Sequence, residues 1–136
     1  MVEQRIAASP ATVFSYLTDP RKFVQWMGVG AQLDPTPGGR FRIDADGVHV
    51  ATGEYRELDP PHRLTMTWGW EGDDSVPPGS TLVEITLTPD GAGTLLRLSH
   101  TGLPNDASRE THLGGWLLYT TRLAALFPSP AGGTTC

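Results

Sequence analysis

The alternation of hydrophobic and polar residues between positions 40 and 101 predicts a series of β-strands. Residues 63–70 alternate most regularly and place their large apolar side chains on one face: Leu64, Met66, Trp68 and Trp70. Similar alternation predicts strands near 40–45, 48–58, 83–88 and 94–101, and a weaker pattern predicts an edge strand at 3–8. Turn signals at Asp46-Gly47 and Pro89-Asp90-Gly91 join neighbouring strands as hairpins, so the predicted sheet is antiparallel.

Three segments predict helices. Ser9-Pro10 and Asp19-Pro20 each combine a capping side chain with a proline at the first helical position, which predicts two short helices in series. Asn105 is a good cap for a long helix that runs to about Phe127. Its predicted apolar stripe is Leu113, Trp116, Leu117, Thr120 and Leu123.

The long helix contains the pair Gly114-Gly115. A glycine in a helix interior costs about 1 kcal/mol relative to alanine, so the pair needs a reason. It indicates either close packing against the sheet or space that is left for something else.

These elements predict an α+β fold, in which a curved antiparallel sheet of about six to seven strands wraps around the long C-terminal helix. We expect residues 1–128 to form one domain and residues 129–136 to form a flexible tail. A sheet that curls further than the helix can fill encloses a gap, and this gap would be a cavity.

Charge and composition restrict the partners. Ten Lys and Arg residues against fifteen Asp and Glu residues give a formal charge of −5, which argues against nucleic acid and an anionic membrane surface. The first residues have no basic head before an apolar run, and no segment has eighteen consecutive apolar residues. We therefore expect a soluble cytoplasmic protein. The single cysteine, Cys136, excludes an intramolecular disulfide and a multi-cysteine metal site.

Four segments in order along the chain carry a family resemblance. The longest runs from Gly53 to Leu64 and continues with Thr67-Trp68 and Trp70. The other three are Pro37-Gly38-Gly39-Arg40-Phe41, the segment Ser99-His100-Thr101-Gly102-Leu103-Pro104, and His112 with Gly115-Trp116. Together they resemble the family homologous to the activator of Hsp90 ATPase, within the START/Bet v 1-like superfamily.

The resemblance implies the helix-grip fold, with a cavity between sheet and helix that takes apolar or amphipathic small molecules. Some members of the superfamily are cyclases or hydratases, some are lipid carriers or hormone receptors, and one branch activates a chaperone ATPase. The resemblance therefore leaves ligand binding, catalysis and a co-chaperone role as alternatives for this chain.

Large rings and two histidines on predicted inward faces are the candidate ligand-binding residues. The full set is Phe14, Trp26, Phe41, Tyr55, Met66, Trp68, Trp70, Ile85, Leu98, His100, His112, Trp116 and Tyr119. The simpler interpretation is that these side chains are core. The functional interpretation is that they line a cavity and stack on a flat ligand with one polar end.

Three functions follow from this set. The leading hypothesis is a protein that binds a small hydrophobic ligand. The second is a cyclase-, hydratase- or isomerase-like enzyme, in which His100 or His112 moves a proton and Tyr55 or Tyr119 orients a carbonyl. The third is a co-chaperone-like accessory protein, for which a chaperone is the partner.

The sequence contains no phosphate-binding loop, nucleophile elbow or dinucleotide fingerprint, and its histidines lack metal-ligand spacing. We therefore expect no cofactor and no metal. A homodimer is compatible with a small antiparallel sheet that has an exposed face.

Overall fold

A computed structural model describes residues 1–128, and the predicted tail at 129–136 lies outside the described residues. The elements in chain order are β1 (Val2–Ile6), α1 (Pro10–Thr18), α2 (Pro20–Phe23), β2 (Gly30–Leu33), β3 (Arg40–Asp44), β4 (Val50–Asp59), β5 (Arg63–Trp70), β6 (Thr81–Asp90), β7 (Gly93–Thr101) and α3 (Asp106–Ala125). The described strands form one seven-stranded sheet in the order β1-β7-β6-β5-β4-β3-β2, and every pair is antiparallel. The α+β helix-grip prediction is confirmed.

The edge strand β2 was not predicted. Its sequence, Gly-Ala-Gln-Leu, contains one large apolar residue and too little alternation to stand out. It forms because it pairs with β3, from Gly30 opposite Asp44 to Leu33 opposite Phe41. The neighbouring strand therefore decides its conformation.

The two short helices begin where predicted. The Ser9 hydroxyl accepts a hydrogen bond from the Thr12 N–H, and the Asp19 carboxylate accepts one from the Arg21 N–H. Both caps satisfy a backbone donor that a helix start otherwise leaves free. The Trp26 indole N–H donates to the Tyr16 carbonyl at 2.9 Å, which ties the segment after α2 to α1.

The predicted stripe of α3 was partly wrong. Trp116, Thr120 and Leu123 are buried, but Leu113 and Leu117 are 46% and 53% exposed. The helix contacts the sheet along the line of Trp116, Thr120 and Leu123, and the two leucines lie to one side of it. On the other side of that line lie Gly115 and Tyr119.

The loop between β5 and β6 returns to the strand that precedes it. The Trp70 N–H donates to the Val76 carbonyl at 2.8 Å, and Val76 is buried. Gly69 permits this close approach, because a Cβ at that position would overlap the carbonyl of Pro77. Residues 71–80 are acidic and rich in glycine and proline, a composition typical of an exposed loop, and most of them are exposed. The buried Val76 fixes the loop to the sheet.

Candidate ligand-binding cleft between the sheet and the C-terminal helix

A cleft of about 570 Å³ separates α3 from the end of β5. This volume lies within the roughly 300–1,000 Å³ range of small-molecule sites. Its walls are aromatic, and its outer rim is formed by the loop that follows β5. The lining residues are Met27, His49, Trp68, Trp70, Glu71, Gly72, Asp73, Asp74, Thr111, His112, Gly115, Trp116 and Tyr119.

Gly115 explains part of the space. A Cβ built at Gly115 or Gly114 would meet no other heavy atom within 4 Å, so neither glycine is needed for close packing. Gly115 lines the cleft and Gly114 does not. For Gly115 the structure therefore supports the interpretation of unfilled space, whereas Gly114 is exposed to solvent.

Five of the predicted ligand-binding residues come together in this cleft: Trp68, Trp70, His112, Trp116 and Tyr119. Trp70 and Trp116 each meet the ring of Trp68 edge-on, with centroids 5.7 and 4.9 Å apart. β5 places Trp68 and Trp70 on this wall, because residues two apart point to the same face of a strand. α3 supplies His112, Trp116 and Tyr119 from the opposite wall.

The other predicted residues lie elsewhere. The side chains that pack in the hydrophobic core, outside the cleft lining, are Phe14, Trp26, Phe41, Tyr55, Met66 and Ile85. Leu98 and His100 line a smaller pocket of about 220 Å³ on the far side of Trp116. Tyr55 is fully buried and its hydroxyl donates to the Leu17 carbonyl at 3.4 Å, so it faces the core.

His112 is held by Trp70. The Trp70 indole N–H donates to His112 Nε2 at 3.0 Å. An indole nitrogen can only donate, so Nε2 must accept and the proton of the neutral imidazole lies on Nδ1. From there it donates to the Ser108 carbonyl at 2.8 Å. Both ring nitrogens are therefore occupied, and the contact joins β5 to α3.

His100 is held by Trp116 in the same way. The Trp116 indole N–H donates to His100 Nδ1 at 2.9 Å, which places the imidazole proton on Nε2. This proton is donated to Thr81 Oγ1 at 2.7 Å, and the Thr81 hydroxyl donates to the Trp68 carbonyl at 2.7 Å. The two imidazoles meet edge-on with their centroids 5.0 Å apart.

For His100 this arrangement stabilises the neutral form. Protonation of His100 Nδ1 would place an imidazole N–H against the indole N–H of Trp116, and one of the two donors would lose its partner. A general base needs a free lone pair. Neither imidazole offers one while Trp70 and Trp116 keep these contacts.

Burial, and secondly the neighbouring His112, lowers the pKa of His100 from 6.5 to about 4. The unfolded chain therefore binds a proton at His100 near pH 6.5, whereas the folded chain does not until about pH 4. The free energy of unfolding should not depend on His100 above about pH 7 and should fall as the pH decreases to about 4. The loss is at most about 3 kcal/mol. Urea unfolding at several pH values between about 4 and 7 measures this loss of unfolding free energy.

The matched control for this prediction is His62, an exposed turn residue. In His100→Gln the fall in stability between about pH 7 and pH 4 should be clearly smaller than in the unmodified chain, whereas in His62→Gln it should be unchanged. An equal fall in both variants would show that His100 does not cause the pH dependence.

The rim contains residues that the sequence did not single out. His49 lies beside the β3–β4 turn and meets Trp70 edge-on, with ring centroids 6.5 Å apart. Asp73 and Asp74 lie on the β5–β6 loop. The sequence marked this loop as acidic, but only its return to β5 brings these carboxylates to the cleft. Within residues 1–128, no group of three or more His, Cys, Asp or Glu side chains could hold a metal ion.

With this geometry established, comparison with known proteins identifies the family. The model of a family described as Activator of Hsp90 ATPase homolog 1-like protein, AHSA1, matches residues 7–128. This chain belongs to the AHSA1 family. The match covers both short N-terminal helices, strands β2 to β7 and α3, so it includes every element that forms the cleft of this AHSA1-like chain.

Solved structures share the fold of this AHSA1-like chain. An AHSA1-like protein from Rhizobium etli is 47% identical over 90% of this chain and 77% of that chain, with a TM-score of 0.71. CalU16 from Micromonospora echinospora is 30% identical over 89% and 70% of the two chains, also with a TM-score of 0.71. The Aha1 dimer from Colwellia psychrerythraea, at 15% identity over 90% of each chain and a TM-score of 0.78, shows the fold alone.

A search of curated proteins finds no match to this AHSA1-like chain. Among the helices in residues 1–128, none combines the length and apolar character that crossing a membrane requires.

Proposed function

We propose that this AHSA1-like chain binds a small hydrophobic or amphipathic molecule in the cleft between β5 and α3. The observation that carries the proposal is an unfilled space of about 570 Å³ with aromatic walls, next to a helix position that has no side chain. Apolar surface that is buried in such a space contributes about 25 cal/mol per Å² to binding before the costs of association.

The polar features of the cleft support an amphipathic ligand. Its inner wall consists of Trp68 and Trp116, which are buried, whereas Glu71, Gly72 and Asp74 at its rim are exposed. A ligand would therefore place its apolar body against the indoles and its polar end at the rim. Tyr119 also lines the cleft and is half-buried, so its hydroxyl is available to donate to a ligand carbonyl.

The occupied nitrogens of His100 and His112 favour binding over catalysis. Each imidazole accepts a hydrogen bond from one indole and donates its own proton to a second group. A proton transfer through either ring would first have to break a Trp–His contact. The pairs act here as structural links between the sheet and α3.

Nuclear magnetic resonance of the tryptophan indoles tests the proposal. In a titration with naphthylethanol, a neutral aromatic probe, the indole N–H signals of Trp70 and Trp116 should shift and saturate together. The Trp26 signal should not move, because its indole is bonded to Tyr16 and lies outside the cleft lining. Shifts that do not saturate, or that affect Trp26 equally, would contradict binding in the cleft.

A protein-docking role is the second candidate, and the observation that favours it is the exposed pair Leu113 and Leu117 on one side of α3. Two apolar residues four apart in a helix form a continuous surface. The family name refers to activation of the Hsp90 ATPase. A change in the ATP turnover of a chaperone on addition of the purified chain would support this role. That change should be absent in Leu113→Ser/Leu117→Ser.

A further inference from the structure

Acidic groups dominate the rim of the cleft. Three carboxylates lie among the lining residues, on Glu71, Asp73 and Asp74, and all three belong to the loop that follows β5. Among the lining residues within 1–128 there is no lysine and no arginine. The whole chain also carries a formal charge of −5.

The three carboxylates are not equivalent. Glu71 accepts two hydrogen bonds from the Arg42 guanidinium, at 3.1 and 3.3 Å, so its charge is largely offset. Asp73 accepts three hydrogen bonds, all at Oδ1: from the N–H and hydroxyl of Ser75 and from the N–H of Val76. These are neutral donors and leave the negative charge of Asp73 in place.

Asp73 is ionised at neutral pH. The hydroxyl of Ser75, followed by the backbone N–H groups of Ser75 and Val76, lowers the pKa of Asp73 below its ordinary 3.8. Asp74 is exposed beside it. None of the ion pairs among the described residues includes Asp73 or Asp74, so the rim presents two carboxylates that no lysine or arginine pairs with there.

The aromatic walls also suit a cation. The negative face of an indole or phenol ring attracts a positive group within about 6 Å of its centroid. Tyr119 in the cleft wall already makes such a contact within the chain, because the Arg122 guanidinium lies 5.5 Å from the centroid of its ring. Arg122 is on the helix side and outside the lining, so the loop side of the cleft remains acidic.

We infer that the cleft selects amphipathic molecules with an apolar or aromatic body and a cationic amine, and that it disfavours carboxylates of the same shape. This inference rests on the proposed binding function and specifies its ligand class. The body would lie against Trp70 and Trp116, and the ammonium group would lie at the rim near Asp73 and Asp74. A fatty-acid-like anion would instead bring its charge to the acidic edge, where it is repelled.

Three probes with the same aromatic body test the inference at about pH 7.5: naphthylethylamine, naphthylethanol and naphthylacetate. At about 20 mM salt we expect the amine to bind about tenfold tighter than the acid, with the alcohol between them. Because the rim is exposed, this ratio should fall to about twofold at 0.5 M salt, where the Debye length is only a few ångström. Calorimetry or the indole signals give the three dissociation constants.

Two double variants distinguish the effect of the rim carboxylates on ligand selectivity from the effect of the net charge of the chain. Asp73→Asn/Asp74→Asn removes two charges, and the asparagine at position 73 can still accept the three hydrogen bonds through Oδ1. Glu54→Gln/Asp59→Asn removes two exposed charges outside the cleft lining. We expect the first variant to bind the amine only about twofold tighter than the acid at low salt. The second variant should keep most of the tenfold preference.

The outcomes are distinguishable. If all three probes shift the Trp70 and Trp116 signals with equal affinity, the charge inference is wrong and the proposed binding function stands. Equal ratios in the two double variants would also overturn it, because net charge would then be the cause. If none of the probes produces a saturable shift, the proposed function itself fails.

Discussion

Replacing Gly115 by leucine is expected to weaken the binding of naphthylethanol strongly while raising the thermal stability of the chain. A leucine at this position extends into the cleft, because Gly115 lines it and an added Cβ meets no atom within 4 Å. The side chain fills space that the probe would occupy, so we expect the dissociation constant to increase at least about tenfold, which is about 1.4 kcal/mol. Titration of the indole signals measures it.

The neighbouring glycine provides a matched control. Gly114 is exposed, lies outside the cleft lining, and also has open space around an added Cβ. Both leucine variants should gain up to about 1 kcal/mol from helix propensity, which would raise the thermal midpoint by a few degrees. Only Gly115→Leu should lose the probe. Equal probe affinity in the two variants would place the binding site elsewhere.

Truncation of Trp116 to alanine is expected to cost about 3–5 kcal/mol of unfolding free energy. Trp116 is only 5% exposed and packs against Trp68 with ring centroids 4.9 Å apart. The variant also removes the donor to His100 Nδ1, and a buried acceptor without a partner adds to the cost. Urea unfolding at about pH 7.5 gives the difference.

A milder variant at the same position and a control at the next residue show what causes the loss of stability. Trp116→Phe keeps a ring and loses only the N–H donor and part of the volume, so it should cost about 1–3 kcal/mol and remain folded if the alanine variant does not. Leu117→Ala changes the adjacent exposed residue and should stay within about 0.5 kcal/mol of the unmodified chain. If Trp116→Ala costs no more than Leu117→Ala, Trp116 does not hold α3 to the sheet.

Trp116 also separates two spaces, because it lines both the cleft and the smaller pocket that contains Leu98 and His100. His112 lines both as well. The Trp70–His112 and Trp116–His100 hydrogen bonds hold these side chains between the two spaces. The sequence predicted one interior cavity, whereas the structure has a cleft of about 570 Å³ and a separate pocket of about 220 Å³.

Local sequence signals determined most of the secondary structure. The caps at Ser9, Asp19 and Asn105 fix the starts of the three helices, and each accepts a backbone N–H as its residue type requires. Period-two alternation identified β5 because its side chains must point to opposite faces. β2 has no such signal, and its pairing with β3 determines it.

The sequence by itself determined that an aromatic strand faces a long helix with two interior glycines, since both features are local patterns. Only the tertiary structure decided which rings fill the core and which line the cleft. Phe41 and Trp68 both belong to strands with period-two alternation, but only Trp68 lines the cleft with Gly115, whereas Phe41 packs in the core. The acidic rim depends in the same way on the β5–β6 loop, which a hydrogen bond from Trp70 to Val76 returns to the sheet.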